Sequence, residues 1–294
     1  LNSQPIQLSI ALVTRNRPES LQRCLQSWRN QTVAPWEIVV SDDSSDEYVP
    51  KNQAIAQHHN CKYLRGPQRG LYANRNHVSL SCGGTHILTG DDDHIHPSDY
   101  VEKVLEKIHS APQRIWVFTE RNFNEPPDAP LQCPGELNPK GGGRAPKNTD
   151  DCAAIADGST AYPRGVFDSG LRYDDTYPFG YLWYLWGQVL VRHGWRISYS
   201  DATFVWHYCI REERERDRVL LQRELECNFY VTLVYNLWVQ PSLKNTAWSV
   251  AALFRRVLLP DTIPGYYIST RIGILRAMRV LKLAIKARDR YRIC

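Results

Sequence analysis

The residues best suited to chemistry lie in Thr85 to Pro97, THILTGDDDHIHP, where a short apolar run meets three consecutive carboxylates and then a proline. Ile87 and Leu88 read as a buried strand, so Asp91, Asp92 and Asp93 arrive where that strand leaves the sheet. Three adjacent acids repel one another, and a hard divalent cation, Mn2+ or Mg2+, would neutralise them with oxygen ligands. The alternating pair Asp91 and Asp93 is the expected clamp. A solvated acidic turn has the same composition, so the triplet alone leaves both readings open.

Other polar groups fall at comparable places. Thr14-Arg15-Asn16-Arg17 follows QLSIALVT, Ser41-Asp42-Asp43 follows Trp36 to Val40, and His207 closes ISYSDATFVWH. Gly70 opens a helix carrying Arg75; an arginine fork near a helix amino end suits a phosphate, although a surface arginine has the same signature.

The elements that must position these groups follow from the hydrophobic pattern. Residues 7–14 and 36–40 are strands, and Leu21, Cys24, Leu25 and Trp28 form one face of a helix between them that Pro18 begins. Tyr63 and Leu64 give a brief third strand, and residues 115–119 another. Strand and helix alternating, with carboxylates at strand ends, is the start of a parallel α/β sheet whose ligands sit beyond the carboxyl ends of the strands.

At 294 residues and 43% hydrophobic content, the chain can bury a sizeable core. Its 8 cysteines contain no CxxC pair, which favours reduced thiols in a cytosolic setting over disulfides or structural zinc. No run approaches the roughly 18 apolar residues of a spanning helix, and there is no signal-like start. The chain begins at Leu1, so a few preceding residues are expected to have been removed. The net charge of +5 is uneven: residues 251–294 hold ten Lys or Arg against two acids, leaving 26 against 29 ahead of them.

In their order and spacing, VTRNRPESLQRCLQSW, EIVVSDDSSD, RGLYANRN and ILTGDDDHIHPSDY resemble the amino-terminal half of the family 2 glycosyltransferases with the GT-A fold, which use sugar nucleotides as donors. The resemblance implies that Thr14 and Arg15 line a nucleotide pocket, that Asp43 contacts the base, and that Arg75 approaches the base or diphosphate. It places Asp91 and Asp92 on the nucleotide side and Asp93 on the metal, with His207 completing the metal site or touching the diphosphate. Residues 155–207 are similar to the acceptor half: Asp157 belongs to a turn facing the sugar, and Gly180 to His193 is the catalytic helix.

The pattern breaks at that helix. Inverting members carry a Glu-Asp pair at its start, where this sequence has Leu182 and Trp183. Three accounts stand: Asp174 or Asp175 supplies the base from the preceding loop, or transfer is retaining and needs no base on that face, or the domain binds a sugar nucleotide without turnover. Tyr181, Trp183 and Trp186 could stack on an acceptor sugar or belong to the core. The polar stretch Asn122 to Thr149 is expected as a mobile loop or lid, or as a surface insertion.

In the tail, Arg211 to Arg223 interleaves acids and bases as a solvated helical face, which speaks against nucleic-acid binding. Phe229 to Val239 is an apolar helix. Residues 271–290 form a basic amphipathic helix suited to an anionic membrane surface, with Trp248, Phe254, Tyr266 and Tyr267 as anchors, or to packing on the domain or a second subunit in a homo-oligomer.

The expected fold is therefore α/β: a GT-A-like, Rossmann-like, mostly parallel sheet over residues 1–208, with nucleotide half 1–110 and acceptor half 111–208, then a mainly helical extension over 209–294. The expected function is metal-dependent transfer from a nucleoside diphosphate sugar, a UDP-sugar first, to a glycan or lipid-linked hydroxyl acceptor. The alternative is a non-catalytic sugar-nucleotide-binding or scaffold protein. Nucleotidyl transfer would bring a glycine- and lysine-rich first loop, which TRNRPES lacks. The expected location is cytoplasmic, peripheral on the inner face of a membrane.

Overall fold

The computed structural model describes residues 5–126, 128–208, 218–259, 261–262, 269–270 and 272–291. Most of the expected charged helix 211–223, the anchors Tyr266 and Tyr267, and Arg271, Cys209 and Cys294 lie outside the described residues. The first part of the chain alternates strand and helix as β1 (Leu8–Thr14), α1 (Pro18–Arg29), β2 (Glu37–Asp42), α2 (Val49–His58), β3 (Lys62–Arg65), α3 (Leu71–Ser81) and β4 (His86–Asp91). β1 pairs in parallel with β2 and β4, and β2 with β3, so these four strands point their carboxyl ends the same way.

The second half contributes β5 (His94–Ile95), α4 (Tyr100–Ser110), β6 (Ile115–Asn122), β7 (Glu136–Leu137), β8 (Gly143–Arg144), β9 (Thr160–Pro163), α5 (Gly165–Asp168), α6 (Leu182–Arg192) and β10 (Ile197–His207). One eight-stranded sheet results, in the order β3-β2-β1-β4-β9-β6-β10-β5. β9 runs antiparallel between β4 and β6, β6 is parallel to β10, and β5 is antiparallel to β10.

The period-2 alternation of β1 divides the core. Leu8, Ile10 and Leu12 face Leu21, Leu25 and Trp28 of α1 and Val101, Val104 and Ile108 of α4. Ala11 and Val13 face the other way, into a cluster with Tyr72, Val78 and the α6 residues Leu182, Leu185 and Trp186. That second cluster continues into the helical extension, which comprises α7 (Arg218–Val234), a π-helical turn Tyr235–Val239, α8 (Leu243–Leu258), β11 (Asp261–Thr262), β12 (Ser269–Thr270), α9 (Ile274–Lys286) and α10 (Arg288–Tyr291). Phe229, Tyr230, Val231, Leu233 and Val234 of α7 and Ala277, Val280 and Ala284 of α9 are all buried there. Arg192 ties the two parts by donating to the carbonyls of Trp238 (3.0 Å) and Tyr291 (2.7 Å).

Two bounds differ from the sequence pattern in ways that matter for the site. β2 and β6 run on through Asp42 and Asn122, past the apolar runs that announce them, because ladder bonds do not require apolar side chains. α6 begins at Leu182 rather than Gly180, whose φ of +124° leaves the helical region. The six described cysteines are unpaired.

Candidate active site

A cleft of about 840 Å³ opens across the carboxyl ends of β1, β4, β6 and β10. Asp91 and Asp93 of the acidic triplet line it, while Asp92 is fully buried. Asp91 receives two hydrogen bonds from the Arg75 guanidinium, at 2.7 and 3.0 Å. Asp92 accepts from the Thr14 hydroxyl at 2.6 Å and pairs with Arg17, which also reaches Asp93 Oδ2 at 2.8 Å. The chain thus supplies arginines to all three acids, and Arg17 is a contributor that sequence reasoning missed.

Arg75 is wholly buried and pairs on its Nε side with Asp157, 3.1 Å away. Burial pulls its guanidinium down, but Asp157 and Asp91 more than offset this and keep it charged. Burial pushes Asp157 up to about 7 against the opposing pull of Arg75. It likewise pushes Asp92 up against Arg17. Burial would raise Asp93 too, but the hydrogen bond with His207 and the charge of Arg17 hold it well below the usual carboxylate range.

The two-residue strand β5 pairs His94 directly with His207 on β10, and the Tyr208 amide closes the arrangement on the Asp93 carbonyl at 2.7 Å. One ligand atom from each of Asp93, His94 and His207 lies within 4.8 Å of the others. His94 is thus the third member of this group, in the place where Asp91 was expected. Asp91 is turned to Arg75 and, among the described residues, is not part of the cluster. The motif DDDHIH contained the signal for His94, but only the register of β5 on β10 assigns it.

Farther along the cleft, Asp43 accepts from the amides of Gln68 (2.5 Å) and Gly70 (3.0 Å), fixing the loop before α3. Arg15 and Trp183 both line the cleft, with Tyr184 and the exposed Phe179 beside Trp183. Of the other expected stacking residues, Trp186 is core, with its ring 4.6 Å from that of Tyr173, and the Tyr181 hydroxyl is bonded to Glu224. The stretch 122–149 borders the cleft through Glu125, Leu131, Gln132 and Pro134.

The two carboxylates expected as base are placed elsewhere. Asp174 is buried and turned to the extension, accepting from Tyr230 (2.8 Å), Tyr291 (2.5 Å) and the Thr176 amide (2.9 Å), with Arg290 at 3.2 Å. Asp175 pairs with Arg69 at 3.1 Å and lines a second cavity, of about 860 Å³, that adjoins the cleft at Arg15, Asn16, Asp43 and Pro178. Leu182 is fully buried, so the start of α6 brings no proton acceptor. Among the carboxylates lining the cleft is Glu120, at the end of β6; its Oε1 accepts from the Gly158 amide at 3.3 Å, and its Oε2 lies 3.9 Å from His94 Nε2. Its signal was its place just past an apolar strand, the same place that marks Asp43.

The family model described as Glycosyl transferase family 2 matches residues 9–170, more than half of the chain. The chain belongs to glycosyl transferase family 2. The uncharacterized glycosyltransferase YwdF of Bacillus subtilis (strain 168) is 28% identical over 106 residues, which is 36% of this chain and 40% of that relative. The chain therefore spans about two-fifths of the curated relative it matches. Among solved structures, GalNAc-T7 with UDP, GalNAc and Mn2+ superposes with a TM-score of 0.64 at 17% identity, covering 81% of this chain and 49% of that one. S. aureus TarS 1–349 in complex with UDP-GlcNAc gives 0.56 at 13% identity, covering 85% and 72%. At these identities the likeness establishes the GT-A glycosyltransferase fold of this family 2 member.

Proposed function

We propose that this protein transfers a sugar from a UDP-sugar to a hydroxyl of a glycan or lipid-linked acceptor, with a divalent metal at Asp93, His94 and His207. The observation that carries the reading is the convergence of that ligand group with Thr14, Asp43 and Asp91 on one cleft, with the buried Arg75 holding Asp91. One carboxylate and two imidazoles form a mixed oxygen and nitrogen set, which suits Mn2+ better than Mg2+. Two of the solved neighbours bind UDP or UDP-GlcNAc, and GalNAc-T7 also holds Mn2+, which supports the donor class and the metal. When bound, the metal would supply positive charge to the departing diphosphate.

The chain's own residues supply the rest. Asp43 and the loop it holds receive the base, and Arg15 and Arg17 border the path of the phosphates. Trp183 presents an aromatic face to the acceptor ring. Glu120 takes the place of the missing Glu-Asp pair: with Oε1 bonded to the Gly158 amide, Oε2 receives the acceptor proton in an inverting displacement. No described helix is long and apolar enough to cross a membrane. We place the protein on the inner face of a membrane, in contact through residues 271–290, where a lipid-linked acceptor would be presented.

The apolar start of α6 favours a second reading, a sugar-nucleotide-binding protein without turnover. One panel separates them: binding of UDP and UDP-sugars with and without Mn2+, and UDP release, for wild type, Asp93→Ala and Glu120→Gln. Transfer requires metal-dependent binding that Asp93→Ala abolishes, and turnover that Glu120→Gln lowers about 10²- to 10⁴-fold with donor affinity retained. Binding without UDP release on any acceptor would support the second reading. No binding of any nucleotide would overturn both.

A further inference from the structure

The helical extension buries one side of α9 and leaves the other exposed. Ala277, Val280 and Ala284 face the core, while Ile274, Leu275, Met278 and Ile285 lie outward, with Leu275 80% exposed. α8 repeats the pattern: Leu243, Val250, Phe254 and Leu258 recur at seven- and four-residue steps along one exposed face. The Ile272 amide donates to the Arg256 carbonyl at 3.2 Å, bringing the end of α8 against the start of α9. Soluble surfaces do not ordinarily expose apolar stripes on two adjoining helices.

The charges around these stripes identify what covers them. Residues 243–259 and 272–291 carry nine Lys or Arg against one acid, Asp289. Arg279, Lys282 and Lys286 on α9 form no ion pair among the described residues. A second copy docking here through a two-fold contact would set this charge against itself. An anionic bilayer supplies both an apolar layer for the stripes and negative headgroups for the cations.

We propose that α8 and α9 together form a docking face for an anionic lipid surface, with Leu275, Met278 and Phe254 entering the headgroup boundary and Lys282 and Lys286 held at the phosphates. Trp248, expected as an anchor, is engaged instead by the Lys140 ammonium 4.7 Å from its ring centroid. Arg276 and Arg279 line the second cavity from α9, so docking brings the mouth of that cavity, which joins the donor cleft, to the lipid surface. The proposal rests on the membrane-presented acceptor of the transfer reading and extends it to a defined two-helix surface.

The test is sedimentation of the full chain with phosphatidylcholine vesicles with and without phosphatidylglycerol, at low and high salt. Leu275→Glu/Met278→Glu and Lys282→Glu/Lys286→Glu replace outward side chains and leave the melting transition in place. Anionic vesicles should bind wild type more than about tenfold better than neutral ones, and each double variant should lose about tenfold. Equal binding to both vesicle types, no binding, or variants that bind like wild type would overturn the proposal. So would a concentration-dependent dimer in light scattering that Leu275→Glu/Met278→Glu dissolves. UDP binding and UDP release, measured without vesicles on the same proteins, tell the failures apart: docking falls alone if these persist, and the transfer reading falls if they are absent while vesicles bind.

Discussion

Replacing Asp174 separates a structural carboxylate from a catalytic one. It sits 3% exposed beneath Tyr230 and Tyr291, themselves 1% and 2% exposed, and both hydroxyls donate to its Oδ2. Burial, then the carboxylate's own charge, hold both phenols well above their usual range, so they remain donors. In Asp174→Ala, two buried hydroxyls lose their acceptor at about 1–3 kcal/mol each, and Arg290 loses its partner. The two hydroxyls alone sum to about 2–6 kcal/mol, a range that contains the roughly 3–5 kcal/mol usual for removing one member of a buried charged pair. For a chain of this size a loss of about 3–5 kcal/mol is a melting-point drop of roughly 5–8 °C, readable by calorimetry. Asp174→Asn keeps one acceptor and should lose about half as much, with UDP release within about threefold of wild type, whereas loss of a general base costs about 10²- to 10⁴-fold. An Asn variant that melts like wild type yet releases no UDP would refute this argument and restore Asp174 as the base.

Three further outcomes follow from the site. Because the folded-state pKa of Asp157 is raised to about 7, its contribution to stability is full below about pH 4 and is lost as pH rises through about 7. Asp157→Asn should therefore melt with a flatter pH profile over that window, and profiles that stay parallel would contradict the assignment. His94→Ala and His207→Ala should each weaken Mn2+ binding by more than about tenfold in titration calorimetry, while Asp91→Asn stays within about threefold. An Asp91 variant as defective as the histidine variants would return that carboxylate to the metal. At Gly70, with φ +102°, an added Cβ would stand 2.4 Å from Pro178, so Gly70→Ala should cost about 1–3 kcal/mol in urea unfolding and weaken UDP, because the loop held by Asp43 must shift.

What could be read in the sequence was what local pattern controls. β1, β2 and β4 are runs buried on both faces, and acids stand at the ends of β2 and β4, so the sheet and the location of its ligands were legible. α2 was not, because VPKNQAIAQH buries only Asn52 and Ala56 and so has no apolar stripe. The burial of Asp174 was not legible because its partners lie 56 and 117 residues away, and only the packed extension brings them together. Glu120 was passed over because the apolar run ends at Thr119 while ladder pairing to β10 continues to Asn122. His94 looked like one more polar residue in a turn until a two-residue strand set it opposite His207.

The division of the acidic triplet resolves the electrostatic problem that the sequence posed. Three adjacent carboxylates seemed to demand an external cation, but Arg75 takes Asp91, and Arg17 with Thr14 takes Asp92. Those two acids are therefore compensated before any ligand arrives, by Arg17 on the lining of the cleft and by the wholly buried Arg75. Asp93 alone shares its charge between Arg17 and the two histidines, and the hydrogen bond with His207 and the charge of Arg17 hold it as a carboxylate. A divalent ion entering there meets one anionic oxygen ligand and two neutral nitrogens, so its charge is only half cancelled by the chain. On the proposed function, the remainder would be left for the diphosphate, and the cleft would then prefer an anionic donor.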